Sequence, residues 1–219
     1  VVDQDLVTRP DITGQPGVGR GAGSRIAENR ACGDREALAL PQVHGGGETL
    51  VVRAAASSGA LVERFYTPLE DCDILVMRTR VTNRGKGPLL LERILSFQLD
   101  LPGTDWELVS FTGAWAREFT PRRRPARAGA LVLGSRSGVS SPYANPFALV
   151  CAPRASETAG EVYGTNLLWS GSHATILDAG PYARTRLLTG LQPEGFAWTL
   201  APRQSFAAPE AVLAHSDRE

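Results

Sequence analysis

Residues 75–99, which read LVMRTRVTNRGKGPLLLERILSFQL, indicate most directly how this chain folds. In both halves, apolar residues recur at every second position except at Thr79 and Arg93, which is the period of a β-strand with one buried face. The segment 83–88 between them contains two glycines and a proline, and Asn and Gly tolerate the positive φ of tight turns. We therefore predict two strands joined by a hairpin loop. The apolar positions are Leu75, Met77 and Val81 in the first half and Leu89, Leu91, Leu95, Phe97 and Leu99 in the second.

Short apolar runs bounded by glycine or proline continue through the rest of the chain, and no apolar stripe with the helical period is longer than two turns. We predict an all-β fold, a large antiparallel β-sandwich of roughly a dozen or more strands with little helix. Residues 1–35 are glycine-rich and poorly patterned, and residues 36–219 form the sandwich domain. Besides the two strands above, strands are predicted at 50–55, 61–66, 108–119, 130–135, 148–152, 160–169, 174–178, 185–189, 196–200 and 211–215.

The composition excludes several classes of partner. The 23 Lys and Arg residues balance the 23 Asp and Glu residues, whereas nucleic-acid-binding domains usually carry a basic excess, so we expect no nucleic acid partner. No run of about 18 apolar residues would span a membrane, and the N-terminus lacks the pattern of a signal peptide. Cys32, Cys72 and Cys151 show no Cys-x-x-Cys spacing, and we expect them to be reduced and buried in a cytoplasmic protein.

No motif combines the residues that a catalytic, cofactor or metal site requires. The segment GSRSG at 134–138 has Arg136 at its centre, where a nucleophile elbow has its serine. The histidines His44, His173 and His215 are far apart in the sequence, and none has a second ligand at a fixed spacing. The sequence therefore predicts no catalytic residue, no metal ligand and no cofactor.

Two other features could mark a surface that binds a ligand. The basic run at 122–127 could bind phosphate, but with no net charge and with Pro121 and Pro125 nearby we interpret it as a solvated hairpin turn. The tryptophans suit either the core of a sandwich or a platform on which sugar rings stack, and both interpretations stay open for Trp106, Trp115, Trp169 and Trp198.

Several segments between Leu61 and Ser216 match one known family in the same order. They are FTGAWARE at 111–118, SRSGVSS at 135–141, NPF at 145–147, GEVYG at 160–164, LWSG at 168–171, GLQP at 190–193, FAW at 196–198 and FAAPE at 206–210. One such segment alone would be weak, but together they resemble family 36 of the glycoside hydrolases, the bacterial α-galactosidases. The region resembled is the N-terminal β-supersandwich domain of those enzymes.

The resemblance implies that this chain is one domain of a longer enzyme whose catalytic residues lie in another domain. In this family a (β/α)₈ barrel follows the β-supersandwich and carries both catalytic aspartates, so we expect this chain to be a fragment that lacks the catalytic barrel. The full enzyme would hydrolyse terminal α-linked galactosides with retention, without a cofactor. The chain itself would be inactive, support its own barrel and help to build a homo-oligomer, a tetramer by family resemblance. The alternatives are a standalone carbohydrate-binding β-sandwich and a purely structural interaction domain or decayed reading frame.

A candidate barrel or subunit interface follows from the same resemblance. A rigid proline between an amide and a large apolar ring suits an interface loop, although an internal turn explains the NPF segment equally well. The sequence departs from the family pattern at Trp169, where Tyr is common, and at Arg203, where Gly is usual. The candidate interface residues are Asn145, Pro146, Phe147, Trp115, Glu118 and Tyr163.

Overall fold

The computed structural model describes residues 35–38, 48–69 and 72–218, and all of the regular secondary structure in these residues is β-strand. The predicted all-β sandwich is confirmed. The strands are β1 (Arg35–Leu38), β2 (Thr49–Ala55), β3 (Ala60–Leu69), β4 (Ile74–Asn83), β5 (Leu89–Leu91), β6 (Leu95–Pro102), β7 (Glu107–Ala114), β8 (Arg117–Pro125), β9 (Gly129–Ser135), β10 (Phe147–Cys151), β11 (Gly160–Leu167), β12 (His173–Gly180), β13 (Arg184–Leu191), β14 (Trp198–Leu200), β15 (Ser205–Ala207) and β16 (Ala211–Arg218).

One large antiparallel sheet contains ten of these strands. Its order is β1-β2-β3-β4-β16-β11-β10-β7-β8, and β15 also pairs with β4. β16 pairs with one half of β4, from Ala211 opposite Met77 to Ala214 opposite Ile74. β15 pairs with the other half of β4, where Phe206 lies opposite Val81. The last described strand thus lies between β4 and β11 and joins the two halves of the sheet.

The remaining strands form a second layer. β12, β13 and β6 make a three-stranded sheet in the order β12-β13-β6. β9 lies beside β12, where Gly134 approaches the backbone of His173 and Ala174 so closely that a Cβ atom would collide with the His173 carbonyl oxygen. β5 and β14 pair with each other as a two-stranded ribbon, with Trp198 opposite Leu91.

The main hydrophobic core lies between the two layers. Leu108 and Val150 from the large sheet and Leu177 and Leu187 from the three-stranded sheet are all completely buried in it. Burying one side chain of this size contributes about 1.5–3 kcal/mol, so this contact holds the layers together. A second cluster lies between the large sheet and the ribbon and contains Ala60, Val62, Val81, Leu89, Leu91, Ile94, Leu200 and Ala208.

The predicted hairpin at 83–88 is wrong. β4 and β5 lie in different sheets, because β5 pairs with β14 and not with β4. The run at 89–99 is also broken, since the chain leaves strand geometry between β5 and β6. Its apolar positions nevertheless point inward, because Leu89, Leu91, Leu95 and Phe97 are all buried. The alternation predicted these buried positions, but it predicted neither the burial of Ile94 and Ser96 between them nor the partner strand.

The basic run at 122–127 is not a hairpin turn. Arg122, Arg123 and Arg124 lie in the exposed strand β8, opposite Ser110, Val109 and Leu108 of β7. β8 is the edge of the large sheet, and an edge strand tolerates prolines because its outer backbone N–H groups need no partner. The turn instead lies between β7 and β8 at 115–116, where Ala116 has a φ of 62°.

Several predictions concern residues outside the described parts of the chain. The poorly patterned segment 1–35 lies outside them except for Arg35, and so do Cys32 and His44.

The other two cysteines, Cys72 and Cys151, are free thiols. Cys151 is buried as predicted. Cys72 is exposed, because it lies in the turn between β3 and β4 and not in a strand. No helix in the described part of the chain is long and apolar enough to cross a membrane.

Candidate functional site

The NPF segment forms the entrance to β10 and is tied to β7. The Asn145 side-chain Oδ1 accepts a hydrogen bond of 2.9 Å from the backbone N–H of Phe147, which closes a local turn around Pro146. The backbone N–H of Asn145 donates to the carbonyl oxygen of Phe111 on β7 at 3.2 Å. All three residues of the segment are half-buried. These two hydrogen bonds order the turn, and the segment stays partly exposed.

Three phenylalanine rings from three strands stack beside this turn. The ring centroids of Phe111 and Phe119 are 4.2 Å apart, and those of Phe111 and Phe147 are 5.2 Å apart. The planes are inclined by less than 30°, which is the offset stacking that aromatic pairs prefer. Phe119 is 50% exposed. This group, the phenylalanine stack, is therefore an aromatic surface on the large sheet that is only partly covered.

The β7–β8 hairpin places two further predicted residues near the stack. Trp115 lies at its tip and is 93% exposed. Glu118 is also exposed, and its Oε1 accepts a hydrogen bond of 2.9 Å from the backbone N–H of Ala116, which holds the turn. The sequence motif thus combines a structural carboxylate with a tryptophan that is almost entirely accessible to a partner.

Two cavities lie beside the hairpin. The larger, of about 580 Å³, lies between β7, β8, β9 and the 143–145 loop, and its wall includes Arg117, Arg122 and Tyr143. The smaller, of about 250 Å³, is lined by Glu118, Phe119, Asn145 and Pro146 among others. The structure therefore brings Glu118, Asn145, Pro146 and Phe147 together, with Trp115 on the same hairpin.

Tyr163 is not part of this group. It lies on β11, with its ring edge against Trp106 at a centroid distance of 5.6 Å, and its hydroxyl donates a hydrogen bond of 2.7 Å to Glu161 Oε1. Burial, together with the neighbouring Glu161 carboxylate, holds the pKa of Tyr163 well above its usual value. The ring of His215 on β16 lies 4.5 Å from that of Tyr163. Tyr163 is thus a neutral hydrogen-bond donor at the margin of the main core.

A third cavity contains two of the four tryptophans for which the sequence leaves a sugar-stacking role open. It has a volume of about 630 Å³, and Trp169, Trp198, Phe196 and Phe206 line it. Trp169 is 45% exposed and Trp198 is 51% exposed. Only the tertiary structure assembles this cavity, because its residues come from segments between 136 and 209.

The histidine and serine residues considered as catalytic candidates have surroundings typical of structural residues. His173 is buried, and burial lowers its pKa, so it is neutral at physiological pH. Ser135 Oγ lies 2.7 Å from Ser137 Oγ, in the segment that resembles a nucleophile elbow only superficially. Within residues 35–38, 48–69 and 72–218, no three His, Cys, Asp or Glu side chains gather in a way that could hold a metal ion.

The chain resembles a known protein family over most of its length. The family model described as the glycosyl hydrolase family 36 N-terminal domain matches residues 14–201. A curated relative, the alpha-galactosidase C of Emericella nidulans, is 36% identical over 169 residues, which are 77% of this chain and 22% of the relative.

Solved structures agree with this match. The crystal structure of the GH36 alpha-galactosidase AgaA from Geobacillus stearothermophilus superposes with a TM-score of 0.76 at 35% identity, covering 78% of this chain and 24% of that one. A variant of the same enzyme in complex with raffinose gives a TM-score of 0.77 at 33% identity, covering 85% of this chain and 27% of that one. The chain thus spans about a quarter of the length of the relatives that it matches.

Proposed function

This chain belongs to the family of glycosyl hydrolase family 36 N-terminal domains, and we propose that it is the non-catalytic β-supersandwich domain of an α-galactosidase. The observation that carries the proposal is the family match over residues 14–201, together with the solved relatives of which the chain covers about a quarter. The catalytic barrel of such an enzyme would lie in the part that this chain does not cover.

The reaction proposed for the whole enzyme is removal of a terminal α-linked galactose from an oligosaccharide such as raffinose. Retaining hydrolysis requires two carboxyl groups about 5–5.5 Å apart, one as nucleophile and one as acid and base. In this proposal both are aspartates of the barrel, and no cofactor takes part. The present chain contributes a rigid sandwich against which the barrel is held.

The barrel or a neighbouring subunit would contact the surface formed by the phenylalanine stack and the β7–β8 hairpin. Trp115 and Phe119 expose large aromatic areas on this surface, and clustered exposed apolar residues are typical of interfaces. Asn145 and Pro146 shape the adjoining turn, and its hydrogen bonds limit the entropy that would be lost on docking. Tyr163, which lies apart from this surface, would support it only through the core.

The oligomeric state and the location in the cell also belong to the proposal. Family resemblance favours a homotetramer. A cytoplasmic protein is consistent with the free thiols of Cys72 and Cys151. Gel filtration with light scattering tests the first, and localisation of a tagged protein tests the second.

The reading frame and the activity of the purified chain test the main proposal. We expect the open reading frame to continue past codon 219 into a barrel with two aspartates, and we expect the 219-residue chain to hydrolyse an aryl α-galactoside no faster than a heat-treated control. A stop codon directly after Glu219, or turnover by the chain alone, would overturn the proposal.

The interface is tested by Phe147→Ala in a full-length family 36 α-galactosidase that carries this domain. We expect lower activity than that of the unchanged enzyme, and a fall in melting temperature larger than the same change causes in the isolated domain. The control is Tyr182→Ala, because Tyr182 is 90% exposed and lies in the turn between β12 and β13. Unchanged activity, with equal falls in melting temperature in the enzyme and in the isolated domain, would count against docking and instead favour the internal-turn interpretation.

A further inference from the structure

The third cavity combines an aromatic wall with a charged rim. Its wall is formed by Trp169 in the loop after β11, by Phe196 and Trp198 at β14, and by Phe206 on β15. Its rim carries Arg136, Gln192 and Glu194. Ligand sites in proteins usually have volumes of about 300–1,000 Å³ and mostly apolar walls with a few polar groups, and this cavity, of about 630 Å³, lies within that range.

The aromatic side chains are held in place without being covered. The Trp198 ring lies 5.3 Å from that of Phe206, and the Phe206 ring in turn lies 5.7 Å from that of Phe196 with the planes at 73°. These contacts fix Trp198 from one side and leave about half of it accessible to solvent. A rigid and exposed tryptophan contributes contact area at a low cost in side-chain entropy.

Trp169 is fixed in a different way. Its indole lies against Gly171, where a Cβ atom would lie 2.5 Å from the ring nitrogen Nε1 and 2.8 Å from Cε2. Any residue other than glycine at position 171 would therefore displace the indole. The cavity thus has two tryptophans whose orientations are set by their neighbours and whose surfaces are 45% and 51% exposed.

The rim supplies donors and acceptors side by side. Arg136 Nη1 lies 2.6 Å from Glu194 Oε2, and both side chains are mostly exposed. The Gln192 side chain is oriented by its own contacts, since its Oε1 accepts from the backbone N–H of Glu194 at 3.4 Å. A guanidinium beside a carboxylate offers several N–H donors and oxygen acceptors within one ligand's reach.

We infer that this cavity is a non-catalytic binding site for an oligosaccharide. A pyranose ring has one face of C–H bonds that packs on the electron-rich face of an indole, and a rim of hydroxyl groups that need donors and acceptors. The two tryptophans match the first requirement, and Arg136, Glu194 and Gln192 match the second. Two separate indoles suit a chain of at least two sugar rings.

In the proposed enzyme this site would hold the sugar chain to the domain. The inference rests on the proposed function only for the choice of probe. The experiment measures sugar binding by the chain itself and does not measure turnover. A negative result would therefore overturn the binding site and leave the proposed function untouched.

The experiment is a titration of the purified 219-residue chain with raffinose and stachyose, followed by the indole N–H signals of its four tryptophans in two-dimensional NMR. Tryptophan-to-phenylalanine variants assign the four signals. We expect the signals of Trp169 and Trp198 to shift with a common dissociation constant, and those of Trp106 and Trp115 to stay in place. No shift at sugar concentrations up to about 100 mM, a hundred times a typical weak dissociation constant of about 1 mM, would overturn the inference.

Variants localise the site. Trp198→Ala and Trp169→Ala should each weaken binding by about tenfold, because each removes a stacking surface. Arg136→Ala should weaken it by about threefold or more, and this exposed side chain can be removed without loss of the fold. The matched control is Trp115→Ala, since Trp115 lines none of the three cavities described above. Equal binding by the control and by the three cavity variants would place the sugar elsewhere and overturn the inference.

Discussion

The side-chain Nδ2 of Asn83 donates a hydrogen bond of 2.9 Å to the carbonyl oxygen of Leu200, a residue 117 positions later in the chain. The same nitrogen donates to the carbonyl oxygen of Gly87 at 2.8 Å, and Oδ1 accepts from the N–H of Gly85 at 2.9 Å. Asn83 is almost completely buried. One side chain therefore joins the end of β4, the turn that follows it and the end of β14, where the ribbon meets the large sheet.

Asn83→Ala should lower the free energy of unfolding by about 2–4 kcal/mol, because three backbone groups lose their buried partner. Asn83→Asp keeps the acceptor for Gly85 but loses both donors, and at pH 7 it should destabilise the chain at least as much. Urea unfolding followed by tryptophan fluorescence measures both changes. A loss below about 1 kcal/mol for both variants would show that water replaces these bonds at little cost.

Glu63 is a buried carboxylate between two arginines. Its Oε1 lies 3.1 Å from Arg53 Nε, and its Oε2 lies 2.8 Å from Arg80 Nε. Burial acts to raise the pKa of Glu63, but the hydrogen bonds and charges of the two arginines outweigh burial, so the pKa lies below its usual value in the folded chain. The ion pairs therefore stabilise the fold fully above the ordinary carboxyl pKa of about 4.3, and this contribution is lost as the pH falls through the lower folded value.

We expect the free energy of unfolding to decrease as the pH falls from about 5 to 3, and to decrease less in Glu63→Gln. At pH 7 that variant should be less stable by about 1–3 kcal/mol, because both arginines lose a charged partner. Urea unfolding across this pH range provides the measurement. The control is Glu157→Gln, an exposed carboxylate, which should keep the pH dependence of the unchanged chain. The same pH dependence in Glu63→Gln would contradict the assignment.

Trp106 and Trp115 should differ sharply in their contribution to stability. Trp106 is 5% exposed and belongs to the main core, and its Nε1 donates a hydrogen bond of 2.7 Å to the carbonyl oxygen of Pro102. Trp106→Ala should therefore cost about 3–5 kcal/mol. Trp115→Ala should change stability by less than about 0.5 kcal/mol, because its side chain is almost entirely in solvent. Thermal unfolding of the two variants tests this, and similar losses for both would contradict the structure.

Arg203 adopts a left-handed backbone conformation, with a φ of 68°. Its N–H donates to the carbonyl oxygen of Asn83 at 2.7 Å, so the turn is held in this conformation. The left-handed region costs a residue with a Cβ about 1–2 kcal/mol, and glycine avoids this cost but loses more entropy on folding. We expect Arg203→Gly to stabilise the chain by up to about 1 kcal/mol.

The matched comparison is Arg203→Ala, which removes the same side chain but keeps the strained φ. Chemical denaturation should place this variant at or below the stability of the unchanged chain. Equal gains from alanine and glycine would mean that the arginine side chain, and not the backbone, is the source of the cost.

The structure brings together most of the predicted interface residues but not Tyr163. Family resemblance predicts four residues that lie together, because β7, β8 and β10 are neighbours in the large sheet: Asn145, Pro146, Phe147 and Glu118. Tyr163 carries the same kind of motif signal but lies on β11, facing Trp106. A motif identifies a segment that the family shares, but it does not say which surface the segment faces.

The sequence by itself determined the all-β class and the buried face of strands such as β4 and β5, because the two-residue period is a local property of the backbone. It also determined the family, through motifs in a shared order. Only the tertiary structure decided that β5 pairs with β14, that β16 lies between β4 and β11, and that Trp169 and Trp198 line one cavity. Alternation states which face of a strand is apolar, but its partner is chosen by packing and hydrogen bonds between residues more than a hundred positions apart, such as Asn83 and Leu200.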